Sequence, residues 1–290
     1  MSSYAVEAQD LELKGDEGKV FGPLSFAVPS QGLTNLLGKG GSGRTALALV
    51  LSGRMKPTGG SLSVLGESKP RPIRSRVAIA GVEQIDLLER SVTVQDILTE
   101  SLSWSKHWFM PMGKATQEDL ERICSHVYGD RDLPPLDAYI SQLDNLDKIM
   151  LRISLALSPA DNKPVELLIM DDIEQVHEND DRAILLQVLE RLSEDIPVIV
   201  NSANPIVGPV APNKVIEIDA NAGHTHPIHT GLCEYSDPMD SEPAYSGSQD
   251  SPHDNSEPNP ENDPEYDPEL DDLDIPEDTS THIAEPKENR

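Results

Sequence analysis

Leu33-Thr-Asn-Leu-Leu-Gly-Lys-Gly-Gly-Ser-Gly-Arg-Thr45, running straight into Ala46-Leu-Ala-Leu-Val-Leu51, is the stretch on which the fold turns. The apolar run 33–37 predicts a buried strand ending in glycines. Residues 45–51 predict a helix, with Leu47, Val50 and Leu51 on one face and Gly53 just past its end as a cap. Between them Gly38, Lys39, Gly40, Gly41, Ser42, Gly43, Arg44 and Thr45 fit the phosphate-loop pattern G-x-x-x-x-G-K-[ST], with Arg44 where lysine belongs. Glycines let the backbone wrap closely around phosphates, and N–H groups plus the helix N-terminus supply positive potential. The Thr45 hydroxyl suits a magnesium ion carried by a nucleotide. Arg44 keeps the charge but presents a planar fork instead of a compact ammonium, so binding should survive the change better than catalysis. The alternative is a glycine-rich strand–helix turn that holds no ligand.

Outward from this point the pattern alternates. Lys56-Pro-Thr-Gly-Gly60 is a turn into a strand at 61–65, and 76–80 is another short strand. Residues 93–157 read as mostly helical, with Thr116-Gln-Glu-Asp119 a helix start. A buried strand at 166–170 ends in Asp171 and Asp172, followed by a helix at 181–192 and strands at 197–201 and 214–218. Strands alternating with helices predict an α/β fold with a largely parallel central sheet. No internal repeat is visible.

Charge bounds the function. The 290 residues carry 51 acidic and 23 basic side chains, a net of −28. That excludes nucleic acid as a partner, because phosphate neutralisation needs a basic face. Two cysteines, Cys124 and Cys233, and no apolar start make a cytoplasmic chain the expectation. No stretch approaches the roughly 20 apolar residues of a membrane-spanning helix. From Gly231 to Arg290 there are 19 acidic and two basic residues with nine prolines, which leaves too little burial to offset chain entropy. The expected organisation is a folded body over 1–220, with a helical subdomain at about 93–160, and a disordered acidic tail over 221–290.

Two runs, Leu36-Leu-Gly-Lys-Gly-Gly-Ser-Gly-Arg-Thr45 and Leu51-Ser-Gly-Arg-Met-Lys-Pro-Thr-Gly-Gly-Ser-Leu62, resemble an ATP-binding-cassette (ABC) nucleotide-binding domain. The resemblance covers about residues 8–220. It implies a P-loop NTPase of ABC type binding ATP and Mg2+, paired with an integral-membrane permease and forming a homodimer or heterodimer with another ABC-type domain. Its expected location is cytoplasmic, peripheral at the inner face of the plasma membrane. Leu167-Leu-Ile-Met-Asp171-Asp172 is similar to the family's Walker B: Asp171 would hold magnesium, and Asp172 would take the catalytic glutamate position one methylene short. A misplacement near 1 Å there can lower the rate roughly a hundredfold. A solvated strand end is the plainer use of the same two aspartates.

The resemblance also implies damage. The signature that binds the γ-phosphate on the opposite subunit would fall at Leu143-Asp-Asn-Leu-Asp147, where Asp144 and Asp147 are negative. The switch histidine would fall at Ala203. The aromatic that stacks on adenine would lie near Lys14, with Phe21 the nearest substitute. Gln84 is the candidate for the glutamine linking magnesium to the membrane partner, unless it is an ordinary surface glutamine. Two weaker motifs remain. His224-Thr-His226-Pro-Ile-His229 reads as a solvated histidine run, with metal binding as its alternative. Trp104-Ser-Lys-His-Trp108-Phe109 reads as core packing, with a dock for a membrane subunit as its alternative. Two function classes follow: an ATPase subunit driving a permease, or a nucleotide-binding regulatory module that has lost turnover.

Overall fold

The computed structural model describes residues 3–16, 18–104, 113–159 and 163–218, and the backbone of 225–227. The chain begins with β1 (Tyr4–Gly15) and β2 (Gly18–Pro29), then β3 (Leu33–Gly38), α1 (Arg44–Leu51), β4 (Gly59–Val64), α2 (Pro70–Arg74) and β5 (Val77–Ala80). Four helices follow: α3 (Glu83–Asp86), α4 (Val94–Trp104), α5 (Gln117–Tyr128) and α6 (Asn145–Leu157). The last elements are β6 (Leu167–Met170), α7 (Asn179–Leu192), β7 (Val198–Ser202), β8 (Lys214–Ile218) and β9 (Thr225–Pro227).

The main sheet runs β5-β6-β7-β3-β8-β9, parallel throughout except for antiparallel β9. Its strands β5 and β6 are continuous apolar runs because both faces are covered. Alternation then divides both of these strands between two cores. Leu168 and Met170 face a core shared with α4–α7, whereas Leu167 and Ile169 face one shared with α1 and the strands β1, β2 and β4. All four are fully buried.

The expected α/β fold with a largely parallel sheet is what the structure has, with two departures. β1, β2 and β4 form a separate antiparallel sheet in the order β2-β1-β4, so the chain before Leu33 supplies two of the three strands of a second layer. The 93–157 region holds three helices with a non-helical stretch, including a short 3-10 turn at Ile140–Gln142, before α6. The helix start at Thr116 is as expected: the Thr116 hydroxyl accepts the Asp119 N–H while the Asp119 carboxylate accepts the Thr116 N–H. β9 lies past the expected boundary near 220. The remainder of the acidic tail, including Cys233, is outside the described residues.

Candidate functional site

Five parallel strands end at one edge of the sheet, and in open α/β sheets ligands bind at that edge. Gly38–Thr45 follows β3 there, Asp171 and Asp172 follow β6, and Ala203 follows β7. The loop after β3 is held by its own backbone: Ser42 N–H donates to the Lys39 carbonyl at 3.1 Å, and Leu47 N–H to the Gly43 carbonyl at 2.8 Å. Gly43 has φ +80°, and a Cβ there would lie 2.6 Å from the Val20 carbonyl, so β2 presses directly on the loop. At Gly40 and Gly41 a Cβ would meet nothing within 4 Å, leaving the loop open toward solvent. Thr45 is exposed at the start of α1.

Beneath the loop lies a buried polar cluster. Asp171 is 3% exposed, and its Oδ1 accepts from Asn201 Nδ2 at 2.6 Å. The same nitrogen donates to the Arg44 carbonyl at 3.1 Å, so Asn201 ties the β6 end to the phosphate loop. Arg44 Nη1, Ser42 Oγ and Asn201 Oδ1 are buried without a protein partner. Unpaired buried donors beside an open glycine loop fit phosphate oxygens, and the Thr45 hydroxyl with the Asp171 carboxylate fits a hard divalent cation. The donor set therefore suits both groups implied by the sequence.

Asp172 has φ +52°, uncommon for a residue with a side chain. Burial, then the neighbouring Glu174 carboxyl, raises its pKa above the usual carboxylate value, with Arg44 opposing. Glu174 Oε1 accepts the N–H groups of Ala203 at 2.8 Å and Asn204 at 3.0 Å. The backbone at the switch position is thus already engaged by a carboxylate.

Several expectations shift. Phe21 is 1% exposed in the core against α1 and is not a platform for adenine. Lys14, at the end of β1, pairs with Glu12 at 2.9 Å. At the signature position Asp144 is exposed and caps α6, accepting Asp147 N–H at 2.6 Å, so the helix N-terminus is filled by the chain's own carboxylate. Gln84 is exposed on α3, and the side chain of that helix tied to the strand ends is Asp86, through Gly81 N–H at 2.7 Å. Trp104 is 74% exposed rather than in the core. Trp108, Phe109, His224 and His229 lie outside the described residues, and His226 is described only as backbone of β9. Asn201, Glu174 and Gln175 carry no motif. The one signal for Asn201 is a polar residue closing the apolar run Val198-Ile-Val200.

The comparisons agree with this fold. The family model for ABC transporters matches residues 21–172. The Nod factor export ATP-binding protein I of Rhizobium sp. (strain N33) is 32% identical over 175 residues, covering 59% of this chain and 53% of that protein. The phosphonates import ATP-binding protein PhnC of Nitratidesulfovibrio vulgaris is 24% identical over 203 residues, covering 67% and 74%. The chain spans about half the length of the Nod-factor relative. Among solved structures, cbiO1 of Clostridium perfringens, part of the ABC transporter complex cbiONQ, has a TM-score of 0.61 at 15% identity, covering 78% of this chain and 88% of that one. A bacterial Atm1-family ABC exporter with ATP bound has a TM-score of 0.57 at 14% identity, covering 78% and 38%. These structures share the fold, and no helix among the described residues is long and apolar enough to cross a membrane. With the family model spanning just over half of its length, this chain belongs to the ABC transporter family and carries that family's nucleotide-binding domain.

Proposed function

We propose that the chain is the ATP-binding subunit of an ABC-type membrane transporter, taking MgATP at Gly38–Thr45 and working with a separate integral-membrane permease. The observation that carries this reading is the cluster of unpartnered buried donors, Arg44 Nη1 and Ser42 Oγ, joined through Asn201 to Asp171. Bound magnesium would supply positive charge to the phosphate oxygens. The N–H groups and Arg44 would bind and orient the phosphates, and Thr45 and Asp171 would hold the ion. MgATP should raise the melting temperature of the chain by mass action, and Arg44→Ala and Asp171→Asn should each weaken the shift. No shift at millimolar MgATP would sink the reading.

The permease half is supported by an exposed apolar groove. A hollow of about 310 Å3 lies between α3, α4 and α6, lined by Leu87, Leu88, Ile97, Trp104 and Leu155. Leu87 is 67% exposed and Trp104 74%, and such surface is usually covered by a partner. That dock supports the proposed location, peripheral at the inner membrane face.

Three features favour a second form of the same reading, a nucleotide-binding module with little hydrolysis. Asp172 is short for holding an attacking water, Ala203 lacks a polar group, and Asp144 fills the signature helix end. Loss of one such contact costs about 2–4 kcal/mol of transition-state stabilisation, and the losses need not add. Phosphate release by the purified chain should be close to silent, with Thr45→Ala as the contamination control. Robust release that vanishes in that control favours the competent ATPase.

A further inference from the structure

We infer that Arg152, Asp86 and Gln175 form a positioning relay that holds the backbone of Asp171 and Asp172 and starts at the wall of the groove. Arg152 on α6 is 7% exposed and divides its guanidinium: Nη2 pairs with Asp86 Oδ1, and Nη1 donates to Gln175 Oε1 at 2.9 Å. Arginine offers donors only, so the Gln175 oxygen must face it and the NH2 must face the other way. That NH2 donates to the carbonyls of Gly81 at 2.6 Å and of Asp171 and Asp172 at 3.1 Å each. The second Asp86 oxygen accepts Gly81 N–H at 2.7 Å, so both polar groups of the Gly81 backbone belong to the same network.

The carbonyls held by Gln175 belong to the two residues whose carboxylates serve the site. One of them, Asp172, keeps a left-handed backbone that persists only where its surroundings over-determine it. Asp86 and Arg152 also line the groove between α3, α4 and α6. A segment seated there would touch the same ion pair that orients Gln175. A lysine at 152 could keep the charge but, as a compact ammonium on a flexible stem, could not serve both partners with one planar fork.

The test has two arms, both on the full chain. In the nucleotide-free protein, Gln175→Ala and Arg152→Lys should each raise amide exchange at Gln175 and Val176 at least tenfold and leave β8 unchanged. The second arm rests on the nucleotide reading: free Mn2+ counted by electron paramagnetic resonance in the presence of ATP. Each single variant should weaken Mn2+ retention about tenfold, with metal-free ATP affinity unchanged. Because the two residues act through one another, the double variant should lose no more than either single one. Multiplicative losses, or unchanged exchange in both single variants, would overturn the relay. If the unaltered chain retains no Mn2+ with ATP, the proposed function fails instead, and the exchange arm alone decides the relay.

Discussion

Arg44 brings a guanidinium nitrogen into the protein with no partner for it, while its carbonyl is held by Asn201. A buried polar atom left unpaired lowers the stability of the ligand-free state, so removing it should not weaken the fold. Arg44→Ala is therefore expected to leave the ligand-free melting temperature unchanged or slightly raised while cutting the MgATP-induced shift by at least half. Arg44→Lys should keep most of that shift; equal shifts in all three proteins, measured across a MgATP titration, contradict the assignment. Gly43 makes a second case. A side chain there would have φ +80° and a Cβ 2.6 Å from the Val20 carbonyl, so Gly43→Ala should cost about 1–3 kcal/mol in urea unfolding. Both residues were legible from the sequence, because a phosphate cradle needs its glycines, cation and hydroxyl at set spacing within eight residues. Asn201, Glu174 and Gln175 were not. Asn201 meets Arg44 across 157 residues and Asp171 across 30, and Arg152 meets Asp86 across 66. Such contacts are created by parallel strand register and by the packing of α3 and α6, which no local spacing records.

Helices α5 and α6 each carry an aspartate in the first turn, Asp119 and Asp147, and the two depend on pH in opposite directions. Asp119 accepts from Thr116 and pairs with Arg122, which lowers its pKa to about 2. A depressed carboxylate contributes stability present above its unfolded pKa and lost as pH falls toward the folded value. Thr116→Ala should thus cost about 1 kcal/mol at pH 7 and flatten the acid loss of stability between about pH 4 and pH 2. Asp147 in the first turn of α6 is the reverse: burial, then the Asp144 charge, raises its pKa. Its contribution is full below the unfolded carboxylate pKa and is lost as pH rises through the folded one. Asp147→Asn should accordingly raise the melting temperature at pH 7 and leave it unchanged near pH 3; the opposite order in a pH series of melts rules this out. The α5 start was readable in Thr116-Gln-Glu-Asp119, whereas β1 and β2 were not readable at all. Their pairing shifts register between Tyr4 and Val6, Ala8 and Leu11, Leu11 and Leu13, and Leu13 and Lys14. Each bulge breaks the period-two alternation by which a strand is recognised.

The molecule as a whole carries −28, and the division of that charge decides how the body and tail should behave. Residues 235–290 hold 18 acidic and two basic side chains, so they account for −16 and leave −12 on the first 234 residues. Among the described residues, the two hydrophobic cores draw on Val6 to Ile218, and the compact unit containing them ends at Glu234. Deleting 235–290 should therefore leave a cooperative transition. A cut at 220 is a different experiment, because it removes β9 and uncovers the outer edge of β8. The two parts have the same sign, so joining them adds self-repulsion. The 1–234 chain should then melt at or slightly above the temperature of the full chain at 10 mM salt. The difference should close by about 0.5 M, where the Debye length has fallen below roughly 5 Å. Solubility should move the other way, since net charge keeps copies apart and truncation removes more than half of it. If 1–234 melts lower than the full chain at every salt concentration, the tail supplies stabilising contacts, and its reading as an unfolded solubilising segment is wrong.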